Sequence, residues 1–211
     1  MIIKNQISYW NYFYKNVGSH KSPTNFAKFI LKSKILKKKT TLFDLGCGNG
    51  RDAIFFIKNK FNCIGFDQSK LVIKKNKLEN YKYKKNFYVK DFSKINFNKF
   101  VTKKFSLYLR FSLHSINQHQ EDDFFKNLYK SSKLDFVFIE ARTIFDPFYG
   151  KGTMVGNNAF ISDHYRRFLD PEILKKKLSK KFDILFFKLG KNFAKFKNEN
   201  PKVLRLCLKK R

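Results

Sequence analysis

The residues best suited to chemistry lie in one glycine-rich segment, Asp44-Leu45-Gly46-Cys47-Gly48-Asn49-Gly50. An apolar run typical of a buried strand enters this segment, and a helical pattern leaves it. Glycines let a ligand approach the backbone closely, and the amides that begin the helix lie near the same place. Asp67 ends the next strand, where a carboxylate can accept hydrogen bonds from both ribose hydroxyls of a nucleoside. The pattern therefore predicts a nucleoside-binding site.

Two details distinguish this segment from the loop of a dinucleotide dehydrogenase. The third glycine comes one position earlier than in the G-x-G-x-x-G pattern, and Arg51 occupies the last position of that pattern. Asp44 lies directly before the loop, where its carboxylate would repel a pyrophosphate and would suit an ammonium group. These details favour a ligand that carries an ammonium group over a dinucleotide.

Three segments in order resemble the first three motifs of class I S-adenosylmethionine-dependent methyltransferases. They are Asp44–Gly50, Ile64-Gly-Phe-Asp67-Gln68-Ser69 and Val89-Lys-Asp91-Phe92. The resemblance implies methyl transfer from S-adenosylmethionine. It implies that Gly46, Gly48 and Gly50 line the methionine and ribose, that Asp44 binds the ammonium group and that Asp67 binds the ribose hydroxyls. It also places Asp91 at the adenine amino group with Phe92 beside the ring, and the candidate cofactor-binding residues further include Cys47, Gln68 and Arg110. Asp91 has a structural alternative as a helix N-cap.

The fourth predicted strand leads into the segment expected to face the substrate, and it is expected to end at the same sheet edge as the glycine loop. The segment has no Asn/Asp-Pro-Pro-Tyr motif, which argues against the adenine or glutamine N-methylation of relatives that carry it. Arg110 stands in an otherwise apolar strand, and a buried guanidinium needs an anionic partner. That partner is either a phosphate or carboxylate of the substrate or an internal residue such as Glu140.

A second polar cluster follows the fifth strand and is rich in arginine. Guanidinium groups bind phosphate or carboxylate through two parallel hydrogen bonds, so this cluster predicts an anion-binding wall, although a solvated surface is the alternative. The candidate substrate-binding residues are Arg110, Glu140, Arg142, Tyr165, Arg166 and Arg167. The runs 108–116, 139–142 and 164–168 resemble a methyltransferase subgroup associated with bacterial surface-polysaccharide or small-molecule gene clusters.

Transfer of a methyl group to an oxygen usually requires a general base, and histidine titrates in the right range. His114 and His164 are the candidate catalytic residues, while His20 and His119 have less support. A structural role for each loop histidine is the alternative. No metal-ligand spacing occurs, so no metal is expected.

Apolar runs alternate with helical patterns, which predicts an α/β fold: a doubly wound, seven-stranded, mostly parallel sheet with a C-terminal antiparallel hairpin. The predicted strands are 40–45, 61–66, 87–90, 105–111, 134–140, 182–189 and 202–208. The predicted helices include 24–36, 51–59, 69–77 and 121–131, with a last helix opened by Pro171. We expect one domain over 1–211, with an N-terminal helical cap segment (1–39) and a long substrate-side loop (142–168).

The chain of 211 residues carries a formal net charge of +30, from 46 Lys and Arg against 16 Asp and Glu. Such a charge indicates either an acidic partner or a general compositional bias towards lysine. The three cysteines are expected to be buried free thiols, and no apolar run is long enough to span a membrane, so a cytoplasmic protein is expected. The favoured function is O-methylation of a small anionic metabolite or glycan. An RNA methyltransferase and a non-catalytic nucleoside-binding module are the alternatives.

Overall fold

The computed structural model describes residues 3–17 and 21–211. The helices are α1 (Ile3–Tyr12), α2 (Asn25–Ser33), α3 (Arg51–Lys58), α4 (Lys70–Glu79), α5 (Gln118–Tyr129) and α6 (Pro171–Leu178). The strands are β1 (Thr41–Leu45), β2 (Cys63–Asp67), β3 (Phe87–Val89), β4 (Phe105–Arg110), β5 (Leu134–Arg142), β6 (Thr153–Gly156), β7 (Ala159–Ile161), β8 (Tyr165–Arg167), β9 (Phe182–Gly190) and β10 (Val203–Lys210). No described helix is long and apolar enough to cross a lipid bilayer.

Seven of the strands form one sheet in the order β3-β2-β1-β4-β5-β10-β9, and β10 runs antiparallel to both of its neighbours. The α/β fold class predicted from the sequence is therefore confirmed, including the C-terminal antiparallel hairpin. The chain consists of two compact units, residues 1–107 and residues 108–211.

The first unit is organised by the parallel strands β1, β2 and β3. All five residues of β1 are buried, as expected for a parallel strand that is covered on both faces. Its core is strongly aromatic: the Phe43 ring lies 5.5 Å from both the Phe66 ring and the Phe105 ring, measured between centroids. This aromatic core fixes the ends of β1 and β2, where the candidate cofactor residues lie.

Helix α2 begins at a buried polar junction with α3. The Thr24 hydroxyl caps α2 by accepting a hydrogen bond from the Ala27 amide (3.1 Å). The Asp52 carboxylate, only 5% exposed in the first turn of α3, accepts hydrogen bonds from the Thr24 amide and hydroxyl, each 2.8 Å long. The helix ends three residues earlier than predicted because Lys34 adopts a left-handed conformation (φ 57°).

The second unit is built on β5, β10 and β9, and all nine residues of β5 are buried. Helix α5 begins at Gln118, earlier than the predicted start at Glu121. The cause is a capping box: the Asn117 side chain accepts from the Gln120 amide (2.8 Å), and the Gln120 side chain accepts from the Asn117 amide (3.0 Å).

The segment predicted as a long loop after the fifth strand is largely ordered secondary structure, so that prediction was wrong. Strand β5 continues to Arg142, and residues 153–167 form a three-stranded antiparallel sheet, β6-β7-β8. The Tyr149 and Phe160 rings (centroids 5.3 Å apart) and the Phe168 ring pack together beside it. These strands are only three or four residues long, too short for their alternation of side chains to stand out in the sequence.

Replacement of Asp52 by alanine should lower the free energy of unfolding by about 2 to 3 kcal/mol, because it leaves the buried Thr24 amide and hydroxyl without their acceptor. Urea denaturation measures this change. The control is Glu79→Ala, which removes a half-exposed partner of Lys75 and should cost less than about 0.5 kcal/mol. Equal stabilities of the two variants would contradict the importance of this junction.

Candidate active site

The glycine loop is closed by backbone hydrogen bonds that tie it to β2. The amides of Gly46 and Cys47 both donate to the Phe66 carbonyl, at 2.8 and 2.9 Å, and the Gly50 amide donates to the Cys47 carbonyl at 2.9 Å. Gly50 adopts φ 72°, and a Cβ at this position would lie 2.8 Å from the Phe87 ring. Only glycine adopts this positive φ without strain and also leaves room for the Phe87 ring. Gly50 therefore allows the sharp turn from the loop into α3.

The Asp67 carboxylate stands at the end of β2 and joins two loops. One of its oxygens accepts a hydrogen bond from the Gly48 amide (3.0 Å), and the other accepts from the Ser69 amide (2.9 Å). Burial raises the pKa of Asp67, and these amide hydrogen bonds partly offset that rise. The carboxylate is therefore held in one orientation at the position where the resemblance expects the ribose.

Asp44 and Cys47 lie buried beside the glycine loop, 3% and 8% exposed. Burial raises the pKa of the Cys47 thiol well above its ordinary value, and the Asp44 and Asp67 carboxylates raise it further. The thiol is thus neutral and unsuited to nucleophilic chemistry, because the thiolate is the reactive form. A Cβ on Gly65 would lie 2.9 Å from the Cys47 sulfur, so the thiol fills the space beneath the loop.

Asp91 takes the structural role that the sequence offered as its alternative. One of its oxygens accepts hydrogen bonds from the Ser93 amide (3.0 Å) and hydroxyl (2.7 Å), which caps the 3₁₀ turn Phe92–Lys94. Phe92 is buried, and Gln68 is exposed on the loop after β2. The contacts of Asp91, Phe92 and Gln68 with adenosine stay predictions.

The first unit fits the cofactor that the motifs imply. Gly48 has no side chain of its own, so a ligand can approach its backbone, and the Asp67 carboxylate supplies a fixed pair of acceptors, which are the features that a nucleoside requires. The buried Asp44 carboxylate supplies a negative charge for an ammonium group. With S-adenosylmethionine bound, these residues would hold its ribose and its methionine end.

In the second unit, a buried carboxylate organises the end of β4. Glu140, which is fully buried, accepts hydrogen bonds from the Arg110 guanidinium (2.9 Å) and from the Arg205 guanidinium (2.7 Å). Arg110 therefore has an internal anionic partner, Glu140, which is one of the two kinds of partner predicted for it. The Arg110 side chain nevertheless keeps 19% of its surface exposed, against 8% for Arg205.

Phe111, directly after β4, has an unusual backbone conformation. Its φ of 56° is uncommon for a residue with a bulky side chain and costs about 1 to 3 kcal/mol. Its amide donates to the Glu140 carbonyl (2.8 Å), and its ring lies 4.5 Å from the Arg110 guanidinium and 5.7 Å from that of Arg142. These contacts hold the strained turn that leads to His114.

The candidate base His114 lies in the 3₁₀ turn Leu113–Ser115 that follows β4. It is 4% exposed, and its Nδ1 atom has no hydrogen-bond partner among residues 3–17 and 21–211. Burial lowers its pKa well below the ordinary value, and the positive charges of Arg142 and its neighbours lower it further. The buried Ser112 hydroxyl also finds no partner in the described parts of the chain. That His114 acts as a base stays a prediction.

The other histidines are less suited to act as a base. The His164 Nδ1 atom lies 3.1 Å from the Asp163 carboxylate, so this nitrogen already has a partner. As at His114, burial lowers the pKa of His164, here to about 4, and Arg166 adds to the effect. His119 is exposed and contacts Asp123 at the surface. His20 lies outside the described residues.

The remaining predicted arginines each have a carboxylate partner within the protein. Arg142 contacts Asp146 (3.1 Å) and Glu199, Arg166 contacts Asp163 (2.5 Å), and Arg167 contacts Glu121. The partners Glu199 and Glu121 were not identified from the sequence, because they lie 57 and 46 positions from Arg142 and Arg167. Asp163 lies only three positions before Arg166, so its spacing could have identified it. Tyr165 is half-buried, and burial raises its pKa. That these residues bind substrate stays a prediction.

Comparisons with known proteins agree with this geometry. Residues 42–134 match a family model described as a methyltransferase domain. A solved S-adenosylmethionine-dependent methyltransferase from Clostridium acetobutylicum is 14% identical, with a TM-score of 0.67 over 98% of each chain. One from Anabaena variabilis is 16% identical, with a TM-score of 0.68 over 99% of this chain and 94% of that one. No curated protein matches the chain in sequence.

A third similar structure is the 1,6-didemethyltoxoflavin-N1-methyltransferase of Burkholderia thailandensis, solved with 1,6-didemethyltoxoflavin and S-adenosylhomocysteine. It is 12% identical, with a TM-score of 0.70 over 99% of this chain and 87% of that one. The chain therefore has the fold of class I methyltransferases. The match to a methyltransferase domain and the shared fold agree with the enzyme class and the cofactor predicted from the sequence.

Replacement of Asp67 by alanine should weaken binding of S-adenosylhomocysteine by about tenfold or more, because the ribose loses a fixed acceptor. S-adenosylhomocysteine should raise the melting temperature of the wild-type protein, and NAD should not. Calorimetric titration measures the affinity, with Asp123→Ala on the exposed face of α5 as the control. Unchanged affinity of the Asp67 variant would remove this carboxylate from the site.

Proposed function

We propose that this methyltransferase transfers a methyl group to an oxygen of a small metabolite or glycan that carries an anionic group, with His114 as the general base. The observation that carries the proposal is the buried His114 Nδ1 atom, which has no hydrogen-bond partner within the described residues. An acceptor hydroxyl would fill that position and so satisfy a polar group that is otherwise costly to bury.

The cofactor supplies an electrophilic methyl group when it is bound. His114 accepts the proton of the acceptor hydroxyl at Nδ1, so that the oxygen becomes a nucleophile and the imidazole becomes positively charged. The proton then leaves to solvent after the methylated product departs. Positioning of the two reactants provides much of the remaining rate acceleration.

An anionic acceptor would raise the pKa of His114 and so make it a better general base. The free imidazole is a weak base because burial and the Arg142, Arg166 and Arg167 charges oppose its protonation. A phosphate or carboxylate bound nearby would offset the arginine charges and would raise the pKa of His114 towards neutrality, where a general base is most effective. The charge of the acceptor and the choice of base are therefore linked.

Arg110 is the arginine best placed to contact that anionic group. Its side chain is 19% exposed, while the side chains of Arg142, Arg166 and Arg167 are each below 10%. Its neighbour Glu140 is shared with Arg205, so the carboxylate holds the planar guanidinium of Arg110 in position while part of the side chain stays at the surface. Arg142, Arg166 and Arg167 would shape the electrostatic field behind it.

The Burkholderia neighbour supports a small acceptor, since it was solved with a small heterocycle, although that enzyme methylates a nitrogen. An RNA acceptor is the second candidate, and the net charge of +30 favours it. The two candidates differ in the role of the exposed positive charge: an RNA acceptor would be bound by it, whereas a small acceptor does not require it.

If the charge has no role in recognition, RNA should bind weakly and the affinity should collapse with salt, since the contacts would be to phosphates alone. Fluorescence anisotropy with unrelated RNA sequences at about 50 and 150 mM salt measures this. Sequence-selective binding that persists at the higher salt concentration would favour the RNA methyltransferase over our proposal.

Replacement of His114 by glutamine should reduce kcat by about a hundredfold or more and leave the affinity for S-adenosylhomocysteine unchanged. His119→Gln, at the exposed histidine of α5, is the matched control and should keep wild-type activity. Transfer of a radiolabelled methyl group to glycan, metabolite and RNA fractions identifies the acceptor and then measures the rates. Wild-type kcat in the His114 variant would exclude this base.

The pH profile provides a further test. The neutral imidazole is the active form, and its pKa is lowered in the free enzyme, so kcat/KM should stay constant as the pH falls through 6.5 and decline only at lower pH. An anionic acceptor raises that pKa in the complex, so kcat should decline at a higher pH than kcat/KM. Coincident profiles would contradict the proposed link between acceptor charge and base.

A further inference from the structure

The helical turn that follows α1, Phe13–Val17, lies directly on the glycine loop of the first unit. A Cβ placed on Gly48 would be only 2.0 Å from the Tyr14 hydroxyl oxygen and 2.7 Å from the carbon that bears it. The Gly48 amide is engaged by Asp67 (3.0 Å) and its carbonyl by the Asn76 side chain (2.7 Å). The Tyr14 hydroxyl therefore approaches the face of Gly48 from which a side chain would project.

A second contact holds this part of the chain in place. The Ser69 hydroxyl, in the residue that caps α4, donates a hydrogen bond to the Asn11 side-chain oxygen (2.5 Å). Asn11 and Tyr14 lie three positions apart, on the same side of a helical segment. One helical face thus contacts both loops that carry the cofactor motifs. Asn11 contacts the loop after Asp67, and Tyr14 contacts the glycine loop at Gly48.

The methionine carboxylate of the cofactor, which is expected to lie near Gly48, requires a hydrogen-bond donor. The motif residues Asp44, Asp67 and Asp91 all contribute carboxylates, which suit the ammonium, ribose and adenine groups of the cofactor and repel its methionine carboxylate. A phenol hydroxyl is a donor that pairs well with a carboxylate, and such a charge-assisted bond is stronger than a neutral one.

We propose that Tyr14 is a cofactor-binding residue whose hydroxyl donates a hydrogen bond to the methionine carboxylate of S-adenosylmethionine. Asn11 is the positioning residue that keeps helix α1 on Ser69. This assignment concerns the donor side of the reaction and does not depend on the identity of the acceptor.

A pair of ligands tests the assignment directly. S-adenosylhomocysteine carries the carboxylate, whereas 5′-methylthioadenosine retains the nucleoside and lacks the amino-acid end. Tyr14→Phe should weaken the binding of S-adenosylhomocysteine by about 10- to 100-fold, which is the loss typical of a hydrogen bond to a charged group. The same variant should bind 5′-methylthioadenosine with unchanged affinity. Tyr12→Phe, at a nearby tyrosine that is 62% exposed, is the matched control and should change neither affinity. Calorimetric titration measures all of these affinities.

Two results in this comparison would overturn the assignment. Unchanged affinity of Tyr14→Phe for S-adenosylhomocysteine would show that the hydroxyl does not contact the cofactor. Equal losses for both ligands would show that Tyr14 supports the loop and does not bind the carboxylate.

The wild-type protein offers an independent measurement. The sequence has one tryptophan, Trp10, and its ring centroid lies 6.1 Å from that of Tyr14 and 5.6 Å from that of Phe13. Saturation with S-adenosylhomocysteine should alter the emission of Trp10, and 5′-methylthioadenosine should alter it less. An unchanged spectrum with S-adenosylhomocysteine would place the helix away from the bound ligand and would also overturn the assignment.

Discussion

In the first unit, the two loops that carry the cofactor motifs depend on the hydrogen bonds of one carboxylate. Asp67 accepts from the Gly48 amide and from the Ser69 amide, so it fixes the loop after β1 and the loop after β2 with a single rigid group. Burial would otherwise favour the protonated acid, and the two amides oppose that tendency by stabilising the charged form. The two loops of the proposed cofactor site are thus fixed by the protein itself, which would reduce the entropy lost on binding.

A different constraint governs the second unit, where charged groups are buried together. Glu140 is fully buried and is acceptable there only because Arg110 and Arg205 both donate to it. Arg110 and Arg142 in turn flank the strained turn at Phe111. Burial and the charges of Arg142 and its neighbours keep His114 neutral, so the groups that stabilise the fold also set the protonation state of the proposed base.

The sequence was sufficient for several features that depend on neighbouring residues. The apolar runs of β1 and β2, the spacing from Gly50 to Asp67 and the Pro171 start of α6 are local, and all were predicted. The small sheet β6-β7-β8 was not, because its strands are too short for their periodicity to be distinguished. The contacts Arg142–Glu199 and Tyr14–Gly48 join residues distant along the chain, so only the folded structure brings them together.

The distribution of positive charge separates two uses of basic residues in this chain. Arg142, Arg166, Arg167 and Arg205 are all buried, where a planar group with several fixed donors can satisfy carboxylates from two directions. The lysine run 37–39 is exposed, as a strongly hydrated ammonium group requires. Exposed charges of this kind interact weakly, because salt at physiological concentration screens them beyond about 8 Å. The net charge of +30 therefore describes mainly the solvated surface, whereas the few buried arginines, whose charges are met by carboxylates, determine the electrostatics at His114.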